Sequence, residues 1–207
     1  MSVPSNVIAF AGDTCIASGE LMCVALAAKK AVAKARPETV LVFDAATSEP
    51  VEIDLRGSRE DVLRRLPPSP VVRDKAEAQG EADKAETPRR AGRPKLGVVS
   101  REVTLLPRHW DWLGSQPGGA SVALRKLVEH AMRANVGKDR IRRSQNAAYK
   151  FMTAMAGNRT GFEETARALF AADAPKFDKL IAAWPKDIRD HLRKLAAAAL
   201  AAQELAP

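Results

Sequence analysis

Three histidines are the first residues to consider for metal chemistry, because imidazole and carboxylate groups are common metal ligands. His109 and Asp111 stand two positions apart, and His130 follows in the next predicted helix. Two positions along a helix differ by about 200° in direction, so the side chains of His109 and Asp111 diverge. We therefore expect surface or packing roles for the histidines and no metal site among them.

Aspartates near the ends of predicted strands offer a second chemistry, the binding of a divalent ion by carboxylate oxygens. Asp13, Asp44 and Asp54 occupy such positions, but aspartate is also a frequent turn residue, and we favour that interpretation. The sequence contains no phosphate-binding loop, dinucleotide-binding glycine pattern or nucleophilic-serine motif. We predict that the protein is not an enzyme and uses no cofactor; metal-dependent activity of the N-terminal segment is the alternative.

Cys15 and Cys23 are the only cysteines, and their spacing matches neither a redox pair nor a zinc knuckle. Buried, reduced thiols would suit a reducing compartment. The first residues lack a basic and then apolar signal pattern, and the longest apolar run, at 195–202, is far shorter than the roughly 20 residues that cross a bilayer. We expect a cytoplasmic protein with no membrane partner.

Basic residues are concentrated in one stretch of the chain. Residues 89–150 contain 14 lysines and arginines against four acidic residues, which gives a net charge of +10. Residues 1–88 carry −3 and residues 151–207 carry +1, so the three parts sum to the net charge of +8. Because a localised positive field attracts polyanions, this stretch is the candidate for binding nucleic acid.

Residues 1–66 are predicted to form a small α+β domain. Its apolar patterns predict strands and helices in the order ββαββα, at residues 7–10, 14–17, 20–36, 39–43, 51–55 and 59–66. Ser58 precedes the last helix, with Asp61 at the third helical position, which is the spacing of a capping box. Residues 67–94 are rich in proline, charged and small residues with little to bury, so they predict a flexible linker.

Residues 95–135 predict a basic module of one strand and two helices. The strand, 99–105, alternates an apolar face with a polar one. The first helix, 108–116, is expected to bury Trp110 and Leu113. The second helix, 121–134, carries an apolar face at helical spacing, formed by Leu124, Leu127, Val128 and Ala131.

Residues 136–207 predict four further helices that could close one helical bundle. Their apolar stripes and end signals place them at 139–156, 160–171, 173–184 and 185–203. The expected fold class of the whole chain is therefore α+β, mainly α.

The basic module cannot stand alone, since its strand has unpaired backbone groups on both edges. In spacing, residues 102–113, the glycine turn and residues 121–128 resemble the ribbon-helix-helix motif. The resemblance implies a homodimer in which residues 99–105 of two copies pair into a ribbon that enters the major groove of DNA. It also implies base-edge contacts by Ser100, Glu102 and Thr104, and phosphate contacts by the backbone amides of Gly119, Ala120 and Ser121.

Glu102 departs from the usual ribbon, because its carboxylate repels phosphate and accepts hydrogen bonds only from donors such as a cytosine amine. We therefore expect affinity for duplex DNA to come mainly from positive charge, supplied by Arg101, Arg108, Arg125 and Lys126. Upstream, the run Arg89-Arg-Ala-Gly-Arg-Pro-Lys95 resembles an AT-hook. That resemblance implies insertion of Arg93 into the minor groove, with Lys95 beside it.

Three longer runs, at 92–112, 147–158 and 181–191, are similar to an uncharacterised bacterial family that is known only as a domain of unknown function. That resemblance implies no activity. From the residues themselves we predict a DNA-binding protein, a transcriptional regulator or nucleoid-associated factor. The alternative is a non-catalytic adaptor whose basic module and C-terminal helices bind an acidic protein partner.

Overall fold

The computed structural model describes residues 4, 6–33, 39–67, 99 and 101–201. These residues form three strands and seven helices: β1 (Val7–Ala11), β2 (Thr14–Gly19), α1 (Leu21–Ala33), β3 (Val40–Asp44), α2 (Arg59–Arg65), α3 (Pro107–Ser115), α4 (Gly119–Ala156), α5 (Phe162–Phe170), α6 (Ala174–Ile181) and α7 (Lys186–Leu200). The predicted fold class, α+β and mainly α, is confirmed. Beyond Pro67 the predicted linker lies outside the described residues, as do Arg93, Lys95 and Ser100.

The chain divides into two compact units. The first unit contains Met1–Glu77 and Lys138–Pro207, and the second contains Ala78–Gly137. Helix α4 contributes residues to both units, and each unit is described by itself below.

The first unit is built around an antiparallel sheet with the strand order β2-β1-β3. The central strand β1 is buried on both faces: Val7 and Ala9 pack with Val24 of α1, while Ile8 and Phe10 join the core formed by the C-terminal helices. A strand covered on both sides needs apolar residues at every position, which explains the continuous run of residues 7–10.

The larger core combines residues from both ends of the sequence. Phe151 of α4 lies 5.3 Å from Phe10 and 5.6 Å from Phe43, measured between ring centroids. Residues of α5, α6 and α7 complete the same cluster. Described residues of two segments that are predicted to be separate, 1–66 and 136–207, thus contribute to one hydrophobic core.

The fourth strand of the predicted ββαββα order is wrong. Residues 51–56 are extended beside β3 but form no ladder beyond a single bridge between Phe43 and Pro50, with the Val51 amide donating to the Val42 carbonyl at 2.8 Å. Burial nevertheless alternates along this segment, residue by residue. Alternating apolar residues therefore indicated an extended, half-buried backbone. Such a backbone need not form the hydrogen bonds of a strand. The observed order is ββαβα.

The prediction of separate helices at 121–134 and 139–156 is also wrong, because α4 runs without interruption for 38 residues. Asn135 and Gly137, which lie between the two predicted helices, are poor helix formers. The Asn135 side chain donates to the Ala131 carbonyl at 2.8 Å, one turn back, instead of ending the helix. An interior glycine costs only about 1 kcal/mol relative to alanine, which a long helix tolerates.

Two local predictions have clear outcomes. The capping box is confirmed: the Ser58 hydroxyl accepts from the Asp61 amide at 3.1 Å, and Asp61 Oδ2 accepts from the Ser58 amide at 2.9 Å. Those hydrogen bonds lower the pKa of the Asp61 carboxyl. The thiols differ from expectation, since Cys15 is partly buried but Cys23 is exposed.

Candidate nucleic-acid interface

The segment that precedes α3 carries the predicted base-contacting side chains. Residues 101–106 have no regular secondary structure, and Arg101, Glu102 and Thr104 are exposed. A strand is assigned only when a partner is present, and in a ribbon-helix-helix arrangement the partner is a second copy of the chain. Pairing of residues 99–105 between two copies therefore stays a prediction.

Helix α3 begins at Pro107, whose ring suits a first helical position because no amide is needed there. Arg108 follows and is exposed. Leu113 is buried as predicted, but Trp110 is 43% exposed and the prediction that it is buried is wrong. Trp112 is 52% exposed, so both indoles of this helix are accessible to solvent.

Two glycines in the left-handed region connect α3 to α4, with φ angles of 87° at Gly118 and 74° at Gly119. The turn explains why glycine is required there, since other residues rarely adopt such angles. The Gly119 amide already donates to the Gln116 carbonyl at 2.9 Å. Of the three amides expected to meet a phosphate, that of Gly119 is thus engaged within the turn, and those of Ala120 and Ser121 follow it in the first turn of α4.

Four cations of this unit face solvent: Arg101, Arg108, Arg125 and Lys126. Within the described part of the chain, none of the four forms an ion pair. Arg133 is different, because it lies 3.4 Å from Glu129 one turn earlier, although both side chains are well exposed and such a pair contributes little stability. No described acidic side chain therefore compensates these four charges.

The second unit exposes an unusual number of large apolar side chains. Their exposed fractions range from 43% to 73%, and they are Val99, Val103, Leu106, Trp110, Trp112, Leu127, Val128, Met132 and Val136. In contrast, Leu113 and Ala123 are its buried apolar residues among those described. Val99, Val103, Leu127 and Val128 belong to the apolar faces predicted from the sequence. These four side chains are therefore largely uncovered in the single chain.

Met132 and Val136 extend this apolar surface and were missed in the sequence analysis. They follow Val128 at intervals of four residues, so the three side chains lie along one side of α4. The spacing was visible in the sequence. Val136 was overlooked because the second helix was expected to end at residue 134, whereas Met132 lies within that predicted helix and was left out of its apolar face.

The strand-end aspartates are each engaged locally. Asp13 pairs with Arg159 at 2.5 Å, and Asp44 Oδ1 accepts hydrogen bonds from two turn amides at 2.8 Å each. Asp54 accepts from Arg56 Nε at 2.9 Å, and this hydrogen bond holds the pKa of the Asp54 carboxyl well below its usual range. Among the residues that the structure describes, no three His, Cys, Asp or Glu side chains group as metal ligands. The carboxylates act here as turn and ion-pair residues.

Fold and surface together define a mainly helical α+β protein in which α3 and the first part of α4 carry exposed cations and exposed large apolar side chains. The family DUF2239, described as an uncharacterized protein conserved in bacteria, matches residues 6–196, and the chain belongs to this family. The similarity to an uncharacterised bacterial family inferred from the sequence is thereby confirmed. Neither the curated proteins nor the solved structures gave a match to the chain.

The helices can also be assessed for their ability to span a bilayer. In the described ranges, none combines the length and the apolar character that a membrane-spanning helix requires.

Proposed function

We propose that the protein binds duplex DNA as a homodimer assembled through its second unit. The observation that carries the proposal is the coincidence of two surfaces in one small unit. Large apolar side chains that a ribbon-helix-helix dimer would bury are exposed, and exposed cations that form no ion pair among the described residues lie in the same unit. Apolar patches of this kind mark interaction sites, because monomeric proteins usually cover them.

In the proposed dimer, residues 99–105 of two copies pair as antiparallel strands. Pairing would give hydrogen-bond partners to backbone groups of residues 101–105 and cover Val99 and Val103. Val128, Met132 and Val136 would then meet the partner along α4. Burial of one such side chain stabilises an interface by roughly 1.5–3 kcal/mol, so a few of them supply the association energy of a modest dimer.

The proposed binding to DNA is mainly electrostatic. Arg101, Arg108, Arg125 and Lys126 would contact phosphates, with further phosphate contacts by the amides of Ala120 and Ser121. Ser100, Glu102 and Thr104 would face the major groove, where Glu102 limits the bases that can be recognised. Arg93 and Lys95 would follow the minor groove as an arm. We therefore propose a transcriptional regulator or nucleoid-associated factor with broad sequence preference.

Sedimentation velocity tests the dimer. The wild-type chain should sediment as a dimer at micromolar concentrations, and Val128→Glu should give a monomer because two carboxylates would be buried at the interface. Val32→Glu is the matched control, since Val32 of α1 is 52% exposed and Val128 is 54% exposed. A monomeric wild-type chain, or equal effects of the two substitutions, would contradict the proposed assembly.

A second candidate function uses the same surface differently. Trp110 and Trp112 are both accessible, and exposed tryptophans beside arginines are typical of protein interfaces. The protein would then be an adaptor that binds an acidic partner. A chain that binds an acidic polypeptide such as polyglutamate, but not duplex DNA at low ionic strength, would favour this alternative.

A further inference from the structure

A groove of about 930 Å³ lies in the first unit. Its walls are the start of α1, the turn after β3, the extended segment that follows this turn, and α2 with the two residues after it. Apolar side chains dominate the lining, and they include Leu21, Val51, Ile53, Val62 and Leu66. Both the volume and the apolar lining are in the range of sites that bind small organic molecules.

Polar contacts hold the walls of this groove in place. Lys29 of α1 donates to the Leu55 carbonyl at 3.0 Å and also contacts the Gly57 carbonyl. Arg65 of α2 pairs with Asp54 and donates to the Arg56 carbonyl. The extended segment is thus fixed to both helices, although it is not part of the sheet. A groove with fixed walls needs little reorganisation to accept a ligand.

The charges of the lining determine which ligand it fits. Four carboxylates line the groove, from Asp44, Glu49, Glu52 and Asp54, against one cation, Arg65. That cation is neutralised by Asp54, and Glu49 pairs with Lys150. Among the described residues Asp44 and Glu52 form no ion pair, although Asp44 Oδ1 accepts hydrogen bonds from two turn amides. The uncompensated charge at the groove is therefore negative, in a protein whose net charge is +8.

We infer that this groove binds a small organic cation with an apolar body, held by the apolar lining and oriented by Glu52 and Asp44. Among the described lining residues, an anionic ligand would meet carboxylates and one cation that is already paired, and a neutral ligand would gain only the apolar contacts. The inference is independent of DNA binding. It gives the N-terminal part of the chain a ligand-binding role that the helix pair does not supply.

Three probes of similar size and different charge test the inference on the full chain: 2-phenylethylammonium, 2-phenylethanol and 3-phenylpropionate. Titration followed by amide chemical shifts should show saturable binding of the ammonium compound, with shifts at residues 51–54 and 62–66. Its Kd should be at least about tenfold lower than that of the propionate, which corresponds to about 1.4 kcal/mol. Absence of saturable binding, or equal affinity for the three probes, would overturn the inference.

Two variants test the roles of the charged and the apolar lining residues in ligand binding. Glu52→Gln should weaken ammonium binding about two- to fivefold, as expected for the loss of one partly exposed charge contact, whereas Glu60→Gln on α2, outside the groove lining, should leave it unchanged. Leu66→Trp, checked for folding by circular dichroism, should fill the groove and abolish binding. Unchanged affinity in Glu52→Gln would contradict the assigned orientation even if Leu66→Trp does not fold. DNA binding by these variants should remain at the wild-type level.

Discussion

The hydroxyl of Ser144 on α4 donates a hydrogen bond to the carbonyl of Leu195 on α7 over 2.5 Å. The same oxygen accepts from the Ala199 amide at 3.1 Å. In an ideal α-helix the Leu195 carbonyl and the Ala199 amide pair with each other, so Ser144 joins the hydrogen-bond ladder of α7 from the side. Since Ser144 and Ala199 are buried, this contact fixes how the two helices pack.

Replacement of Ser144 by alanine should therefore lower stability. The substitution removes both contacts and leaves two buried backbone groups to rearrange, for an expected loss of about 1–2 kcal/mol. Urea denaturation followed by circular dichroism measures the change. Ser18→Ala, at an exposed position of β2, is the control and should stay within about 0.5 kcal/mol of wild type. Equal stability of both variants and the wild type would show that the Ser144 contacts carry no net energy.

His191 of α7 predicts a dependence of stability on pH. Its ring lies 4.7 Å from that of Phe151 and 5.9 Å from that of Phe10, and its Nε2 is buried without a hydrogen-bond partner among the described residues. Burial, helped by the nearby Lys194, lowers the pKa of His191 from 6.5 to about 4. Because the unfolded chain takes up the proton first, the stability is complete above about pH 6.5 and falls as the pH decreases toward 4.

The measurement is the free energy of unfolding of wild type and His191→Phe between pH 7 and pH 4. The wild type should lose about 2–3 kcal/mol more than the variant over this range, because the variant has no imidazole to protonate. Carboxylates that titrate in the same range affect both proteins alike, so the difference isolates His191. Parallel curves would contradict a neutral, buried imidazole.

Ser48 combines two unfavourable features. Its φ angle is 56°, in the left-handed region, and its buried hydroxyl has no hydrogen-bond partner in the described part of the chain. Ser48→Gly should therefore raise the free energy of unfolding by about 1–2 kcal/mol, because it removes both the backbone strain and the buried hydroxyl. Ala172 has the same φ angle of 56° but no hydroxyl, so Ala172→Gly measures the backbone contribution alone. A smaller gain at Ser48 than at Ala172 would contradict the assigned cost of the hydroxyl.

Secondary structure was predicted most accurately from the sequence where the residues at a helix end and the apolar stripe of the same helix indicate the same element. The capping box of Ser58 and Asp61 and the helices after residue 158 follow from spacing alone, because each helix has an apolar stripe and a recognisable end. Residues 51–56 were assigned wrongly because alternation reports burial of an extended backbone and carries no information on its hydrogen bonds. The shared core of Phe10 and Phe151 joins residues 141 positions apart, a pairing that no local pattern contains.

The two candidate sites also differ in how much of each could be predicted from the sequence. Composition and periodicity identified the basic residues and the apolar positions of the second unit. They did not show which of these side chains are exposed, and for that reason Trp110 was wrongly predicted to be buried. The groove beside Ile53 went unpredicted, because it is formed by the tertiary contacts of Lys29 and Arg65 with backbone carbonyls. Such contacts connect residues that are distant in sequence and leave no regular spacing to detect.

The central claim is that unpaired cations of the second unit bind DNA phosphates, and the salt dependence of binding tests it most directly. Fluorescence anisotropy with a labelled duplex should give an affinity that falls steeply with salt, with a slope of about −0.9 per phosphate contacted in a plot of log K against log salt. Arg125→Ala with Lys126→Ala should reduce the slope by about two per chain. Lys30→Ala with Lys179→Ala removes the same charge from exposed positions of α1 and α6 and should leave the slope unchanged. Equal slopes for the two double variants, or no binding by the wild type at low salt, would contradict the account.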